Sequence, residues 1–231
     1  ILAMVKADGY GHGAVQTAQA LADADAIGVA RLSEALELVD AGIQNTIVLM
    51  EGCFDTKEYT LAAEHGFQLV IHNNNQLAQF LALKLTKPLC VWLKLDTGMH
   101  RLGFTPEQFR NAYAALQQCE HASSDVRLMT HFACADDVQH PFNDEQLSLF
   151  TETIDDLEGQ QSVANSATIL TRPKRHLDWV RPGIILYGAS PVLGTEADEF
   201  GLTPVMTFRS RVIAVKTIAH GERVGYGGDW Q

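Results

Sequence analysis

The sequence predicts an α/β protein of the (β/α)8 TIM-type barrel class, followed by the opening of a second, all-β domain. Three observations carry this reading. Short β-rich apolar runs alternate with amphipathic helical stretches along most of the 231 residues, the pattern of parallel strands joined by helical crossovers. Residues with useful chemistry fall where those runs end, as on the carboxyl-terminal rim of a barrel. The character of the chain then changes after about Gly188. A doubly wound open sheet is the main rival. It more often uses fewer strands, and its phosphate glycines are spaced GxGxxG, a spacing absent here.

Taken in order, the expected strands are Leu2–Lys6, Ala26–Ala30, Thr46–Met50, Gln68–His72, Cys90–Asp96, Val126–His131, Ser162–Asn165 and Gly183–Tyr187. Each is a short apolar or β-branched run bounded by polar residues, glycine or proline. Between them, helical spacing of apolar residues predicts helices over Ala14–Ala22, Ser33–Ala41, Thr56–His65, Asn75–Leu85, Pro106–Gln118 and Asn143–Leu157. Start signals support several of these: Ser33 before Glu34, Asn74 before Gln76, and Thr105-Pro106. Residues 190–201 read as a loop with Pro191, Gly194 and several acidic side chains. Alternation and β-branching then predict antiparallel strands over Val205–Ile218 and Arg223–Tyr226. The barrel is therefore placed at residues 1–201 and the start of a truncated C-terminal β-domain at 202–231. The chain begins inside a strand without methionine and stops at Gln231, so a piece of a longer protein is expected.

Composition narrows the partners. An apolar content of 46% can build a sizeable core, and 19% charged residues is ordinary for a soluble protein. A net charge of −11 argues against nucleic acid or an anionic membrane surface as the main partner. No stretch has the length of a membrane span, and no signal-peptide pattern is visible. Cys53, Cys90, Cys119 and Cys134 are scattered, without a CxxC pair, and read as reduced cytosolic thiols. The histidines form neither HxxxH nor HExxH, so no metal site is expected.

The most informative segment is Val5-Lys6-Ala7-Asp8-Gly9-Tyr10-Gly11-His12-Gly13. It sets one lysine at the end of the first strand, pointing into the mouth of the barrel, where ligands of parallel α/β proteins bind. Such an amine forms a Schiff base with a carbonyl compound if its surroundings keep it deprotonated. The glycines let backbone N–H groups approach an anion, and Tyr10 offers a hydroxyl to the same anion. A reactive lysine beside a phosphate cradle suggests pyridoxal phosphate. Further residues gather on the same rim: His131, Asn165-Ser166, Arg181-Pro182-Gly183-Ile184, and the glycine-bounded run Lys94-Leu95-Asp96-Thr97-Gly98-Met99-His100-Arg101-Leu102-Gly103. A lone histidine at a strand end is ordinarily a satisfied core residue. A set of such places on one rim points to a site.

The blocks Val5–Gly13, Val91–Gly103, Ser162–Ser166, Asp178–Gly188 and Val224–Trp230 resemble, in order, those of the bacterial alanine racemases. The resemblance implies a pyridoxal-phosphate-dependent amino-acid racemase on a barrel fold. It interconverts L- and D-alanine by a two-base mechanism, as a homodimer in the cytoplasm, supplying D-alanine for peptidoglycan. Lys6 is then the cofactor lysine and the base on one face of Cα, and Tyr226 is the opposite-face base, acting in the neighbouring subunit's site. A free tyrosine has a pKa of about 10, so using it at neutral pH requires roughly 4 kcal/mol of help. The resemblance assigns that help to His131 and Arg181, with Arg181 also facing the pyridine nitrogen. It assigns Arg101 to the substrate carboxylate. Lys94 stands where the family has a lysine often carbamylated to an anion that holds this arginine. Tyr10, Ser166, Gly183 and Ile184 match phosphate-binding positions, with Asn165 in support. Asp8-Gly9 departs from the family's more usual Asn-Ala. A barrel-type decarboxylase of basic amino acids and a non-catalytic barrel that carries the cofactor are the alternatives. Arg101 and Tyr226 speak against both.

Overall fold

The computed structural model describes residues 1–85 and 87–229. Seven strands form one parallel sheet in sequence order: β1 (Leu2–Met4), β2 (Ala26–Val29), β3 (Thr46–Leu49), β4 (Gln68–Ile71), β5 (Val91–Lys94), β6 (Arg127–Met129) and β7 (Gln161–Ser162). Helices α2 (Ala14–Ala20), α3 (Leu32–Asp40), α4 (Thr56–His65), α5 (Asn74–Leu81), α6 (Pro106–Gln117) and α7 (Phe142–Ile154) connect them. The short α8 (Ser166–Thr171) follows β7. The strands are buried on both faces, which is why they read as continuous apolar runs rather than alternating ones. Leu2, Met4, Ala26, Val48, Val70, Trp92 and Met129 meet in one apolar cluster. Their neighbours Ala3, Ile27, Ile47, Leu69, Leu93 and Leu128 belong to a second, larger one that also takes in the helices.

The two edges of the sheet are joined through residues 178–182. Leu2 N donates to Val180 O at 2.9 Å and Met4 N to Pro182 O at 2.9 Å, while Arg181 N donates to Ala164 O at 2.9 Å. This segment takes the place expected for the strand at Gly183–Tyr187. Residues Ile184–Tyr187 instead form a 3₁₀ turn. An apolar run of four residues does not distinguish a strand from a buried turn. Pro182, lacking an N–H, can only accept in the ladder, and it does.

At the amino-terminal end of the strands, the Arg127 guanidinium lies 4.9 Å from the Trp92 ring centroid and 4.5 Å from that of Trp179. Gln68 Oε1 accepts from Trp92 Nε1 at 2.8 Å and from Arg127 at 3.0 Å. This plug leaves the carboxyl end as the open one.

Two expected caps shift. The helix near Ser33 starts at Leu32 with Arg31 as its cap, so Ser33 lies inside the first turn. Asn73 rather than Asn74 caps α5, accepting from Gln76 N at 2.9 Å. Thr105 caps α6 as expected. The antiparallel strands expected over Val205–Ile218 do not form among the described residues, and Phe208 and Ile213 are fully exposed. β-branched content favours a strand only where another segment lies alongside to pair with it, and these side chains face solvent. Trp230 lies outside the described residues. No helix among the described residues is long and apolar enough to cross a membrane.

Candidate active site

A cavity of ≈ 580 Å³ opens at the carboxyl ends of the strands. It lies within the range typical of small-molecule sites. Lys6, Tyr10, Lys94, Arg101, His131, Asn165, Ser166, Arg181, Gly183 and Ile184 all line it, so each barrel residue singled out from sequence reaches one space. Tyr226 does not. It sits in a 3₁₀ turn, Tyr226–Gly228, and is fully exposed.

Lys6 leaves β1 into an unusual turn, α1 (Lys6–Gly11). Ala7, Asp8, Gly9 and Tyr10 have φ of 55°, 53°, 59° and 54°, a left-handed helical turn. For residues with a Cβ this costs roughly 1–2 kcal/mol each, so the surroundings must over-determine it. Gly9 N donates to Val5 O at 2.8 Å and Ala7 N to Glu34 Oε1 at 2.8 Å. The departure at Asp8-Gly9 has two local reasons. The Asp8 carboxylate accepts from Ala14 N at 2.7 Å, at the start of α2. A Cβ on Gly9 would stand 2.6 Å from Thr17 Oγ1.

The cavity gathers cations in a protein of net charge −11. Lys6, Lys94, Arg101 and Arg181 line it, with Glu51 and Asp136 as the acidic residues of its wall. Burial, followed by the nearby Arg181, Arg101 and Lys6 charges, lowers the Lys94 pKa from 10.5 to about 7. At neutral pH a large fraction of this amine is therefore uncharged. Burial lowers Arg181 to about 10, so it stays cationic. Its fork donates to Ser162 Oγ and to Thr130 O, and one nitrogen lies 3.3 Å from His131 Nδ1. An arginine can only donate, so Nδ1 accepts and the neutral imidazole carries its proton on Nε2. Burial, then the Arg181, Lys94, Arg101 and Lys6 charges, hold the His131 pKa well below 6.5.

Ser166 Oγ, also in the cavity lining, accepts from Gly183 N at 2.9 Å, which leaves the serine proton free for a ligand. A Cβ on Gly183 would stand 2.5 Å from the Tyr10 hydroxyl, so glycine is what lets that hydroxyl sit there. Asn165 caps α8, its Oδ1 accepting from Thr168 N at 3.1 Å.

The loop carrying Arg101 is anchored by residues that sequence reasoning missed. Asp96 Oδ1 accepts from Gly98 N at 2.9 Å and from His100 N at 3.0 Å. Burial alone would raise the Asp96 pKa, but the His100 and Gly98 amides outweigh it and the pKa falls. Gln146, fully buried in α7, donates to Thr97 Oγ1 at 3.0 Å and to His131 O at 3.2 Å and accepts from Ala133 N at 2.8 Å. Thr97 in turn bonds Thr130, whose hydroxyl donates to Leu95 O. A glutamine on the apolar face of a helix is a signal in sequence, since it needs buried partners.

Comparison with known proteins settles the family. Residues 1–191 match the model of the alanine racemase N-terminal domain. The chain belongs to the alanine racemase family. It is 47% identical over 230 residues to an alanine racemase of Shewanella sediminis and 44% identical to one of Vibrio atlanticus, covering all of this chain and 64% of each relative. The biosynthetic alanine racemase of Pseudomonas aeruginosa superposes over 99% of this chain and 64% of its own, with a TM-score of 0.94 at 46% identity. The Acinetobacter baumannii enzyme gives 0.90 at 37%. The chain thus spans about two thirds (64%) of the length of the curated relatives it matches.

Proposed function

We propose that this chain is the cofactor-binding part of an alanine racemase that uses pyridoxal 5'-phosphate. The carrying observation is the cavity itself, which joins a lysine at the exit of β1 to a cluster of cations and a hydroxyl-lined cradle. The relatives at 44–47% identity named alanine racemase support the substrate.

The residues present fit that cofactor. Tyr10 Oη, the free proton of Ser166 and the narrow approach at Gly183 suit a phosphate, and Ile184 lines the same wall. Lys6 offers the amine that would attach an aldehyde, and Arg181 offers only donors to whatever ring atom it meets. When bound, pyridoxal phosphate supplies an electron sink that acidifies the α-proton of an amino acid.

Arg101 binds the substrate carboxylate with its planar donor fork. Lys6 Nζ takes the α-proton on one face of Cα, and Tyr226 Oη of a neighbouring subunit returns a proton on the other. Two bases on opposite faces let each enantiomer have its own acceptor. Tyr226 does not line its own chain's cavity, as a role in a neighbouring subunit requires. Burial and then the Arg181 charge keep His131 neutral, and both residues line the cavity. The uncharged Lys94 amine adds to carbon dioxide, forming an N–C bond with release of one proton. The resulting carbamate is an anion beside Arg101. Homodimerisation, a cytoplasmic location and supply of D-alanine to peptidoglycan complete the reading, with residues 202–231 as the start of the β-domain.

The test is incubation with pyridoxal phosphate and L-alanine in deuterium oxide. Deuterium should enter Cα of both enantiomers. Lys6→Ala should lose the absorbance of bound cofactor, and Tyr226→Phe should keep it while losing racemisation. Racemisation unchanged in Tyr226→Phe would refute the two-base assignment, and no cofactor uptake by the unaltered protein would refute the whole reading.

A further inference from the structure

We propose that Tyr187 is a positioning residue that clamps the left-handed turn after Lys6 and so holds the Tyr10 hydroxyl at the anion cradle. The turn is strained at Ala7, Asp8 and Tyr10, whose φ values lie in the region glycine favours. Strain of this kind persists only when contacts from elsewhere in the fold over-determine it. Tyr187 supplies such contacts from the far end of the sequence. Its ring stacks on that of Tyr10, with centroids 4.7 Å apart and an interplanar angle of 23°. The same ring meets the His12 imidazole at 4.7 Å and 33°. Its hydroxyl donates to Met4 O at 2.9 Å, across 183 residues of sequence. Tyr187 is itself buried at 6% exposure.

The consequence is geometric. Tyr10 and His12 are the two aromatic side chains of the glycine-rich segment, and both rest on one ring. That ring is pinned to the strand from which Lys6 emerges. A rotation of the turn about β1 would therefore have to unstack both contacts and break the bond to Met4. His12 also ties the turn from within, its Nδ1 lying 3.1 Å from Gly9 O and 3.2 Å from Tyr10 O, while its Nε2 is buried without a hydrogen-bond partner among the described residues. The Tyr10 hydroxyl is then fixed over Gly183, in a position that a Cβ at 183 would close. Neither Tyr187 nor its hydroxyl lines the cavity, so its effect passes through Tyr10. The part of this statement that concerns phosphate rests on the pyridoxal phosphate reading above; the clamping of the turn does not.

Hydrogen–deuterium exchange on the ligand-free protein tests the clamp. The amides of Gly9, His12 and Gly13, each bonded within the turn, should exchange faster in Tyr187→Leu, on the order of tenfold. Tyr187→Phe, which keeps the stack and loses the anchor, should give a smaller rise. Amides of α6, far from the turn, should not change. Unaltered exchange at Gly9, His12 and Gly13, or an equal rise in α6, would overturn the clamp.

The functional half is read from dissociation constants for pyridoxal phosphate and for pyridoxal, which lacks the phosphate. Tyr187→Leu should weaken the first far more than the second, and the selective loss should vanish in a Tyr10→Phe background, because the two residues act through one hydroxyl. Equal weakening of both ligands, or losses that add in the double variant, would overturn the link to Tyr10. If the unaltered protein took up neither ligand, the cofactor reading would fall, and the exchange data would still decide the clamp.

Discussion

Replacing Lys94 by methionine should change how stability depends on pH, and the size of the change follows from the site. A fall in pKa from 10.5 to about 7, at about 1.36 kcal/mol per pKa unit, gives at most about 5 kcal/mol of penalty for the protonated amine. The sign follows from linkage. A base whose folded pKa is depressed is penalised in full below that pKa, and the penalty fades as pH rises toward the unfolded value. Between pH 7 and 9.5 the unfolded chain holds the proton that the folded one has released, so the unaltered protein gains stability with pH. Lys94→Met removes the charge and keeps most of the volume. Its advantage over the unaltered protein should shrink by up to about 3 kcal/mol across that interval. His131 does not blur the result, because its depressed pKa costs stability only as pH falls below its ordinary 6.5. The assay is urea unfolding of ligand-free protein in carbonate-free buffer at several pH values. Adding bicarbonate near pH 8 should then stabilise the unaltered protein and leave Lys94→Met unmoved. A difference between the two proteins that stays constant with pH would refute the buried-amine reasoning.

Three further outcomes follow from the geometry. Gly9→Ala should destabilise by about 2–4 kcal/mol, combining a left-handed Cβ with overpacking against Thr17, and urea midpoints should show part of the loss restored by Thr17→Ala. Arg181→Lys keeps the charge but cannot reach Ser162 and Thr130 together, so it should cost about 2–4 kcal/mol, and the His131 proton resonance should shift in NMR. Gln146→Leu strands the Ala133 amide and frees the loop carrying Arg101. It should lower stability by about 1–3 kcal/mol and, on the proposed function, raise KM for alanine more than it lowers kcat.

Much of this was legible because the strands are buried on both sides. Each expected strand from Leu2 to His131 contains an observed one, shortened by a residue or more, whereas β7 (Gln161–Ser162) only overlaps the expected Ser162–Asn165 at Ser162. Ten of the eleven singled-out residues line one cavity, and Tyr226 does not. What escaped was whatever depends on distant partners. Ile184–Tyr187 has strand-like composition, but its backbone turns because residues 178–182 already occupy the gap between β7 and β1. The glycines at 9, 11 and 13 announced a turn, yet no propensity places Ala7, Asp8 and Tyr10 in a left-handed run; Glu34 and Tyr187 impose it from outside. Gln146 looked like one polar residue of an amphipathic helix until its partners on the ends of β5 and β6 were visible. Ser33 lies two residues past the Arg31 cap, inside the first turn, where a serine reads in sequence just as one at the cap does.

The seam between β1 and residues 178–182 also sets the order in which the molecule can mature. Lys6 belongs to the first strand and Arg181 to the segment that seals the last gap, so the two halves of the site lie far apart in the sequence. A chain emerging from the ribosome carries the reactive lysine long before it owns the guanidinium, the Ser166 cradle or Tyr187. Until the seam closes, a ligand meets a solvated amine on an open sheet edge. Ligand uptake is therefore a report of completed folding, and a tightly held ligand would favour the sealed form over every earlier one by mass action. Contacts this far apart in sequence form late and slowly, which makes the seam the step at which ligand supply and folding yield should rise or fall together.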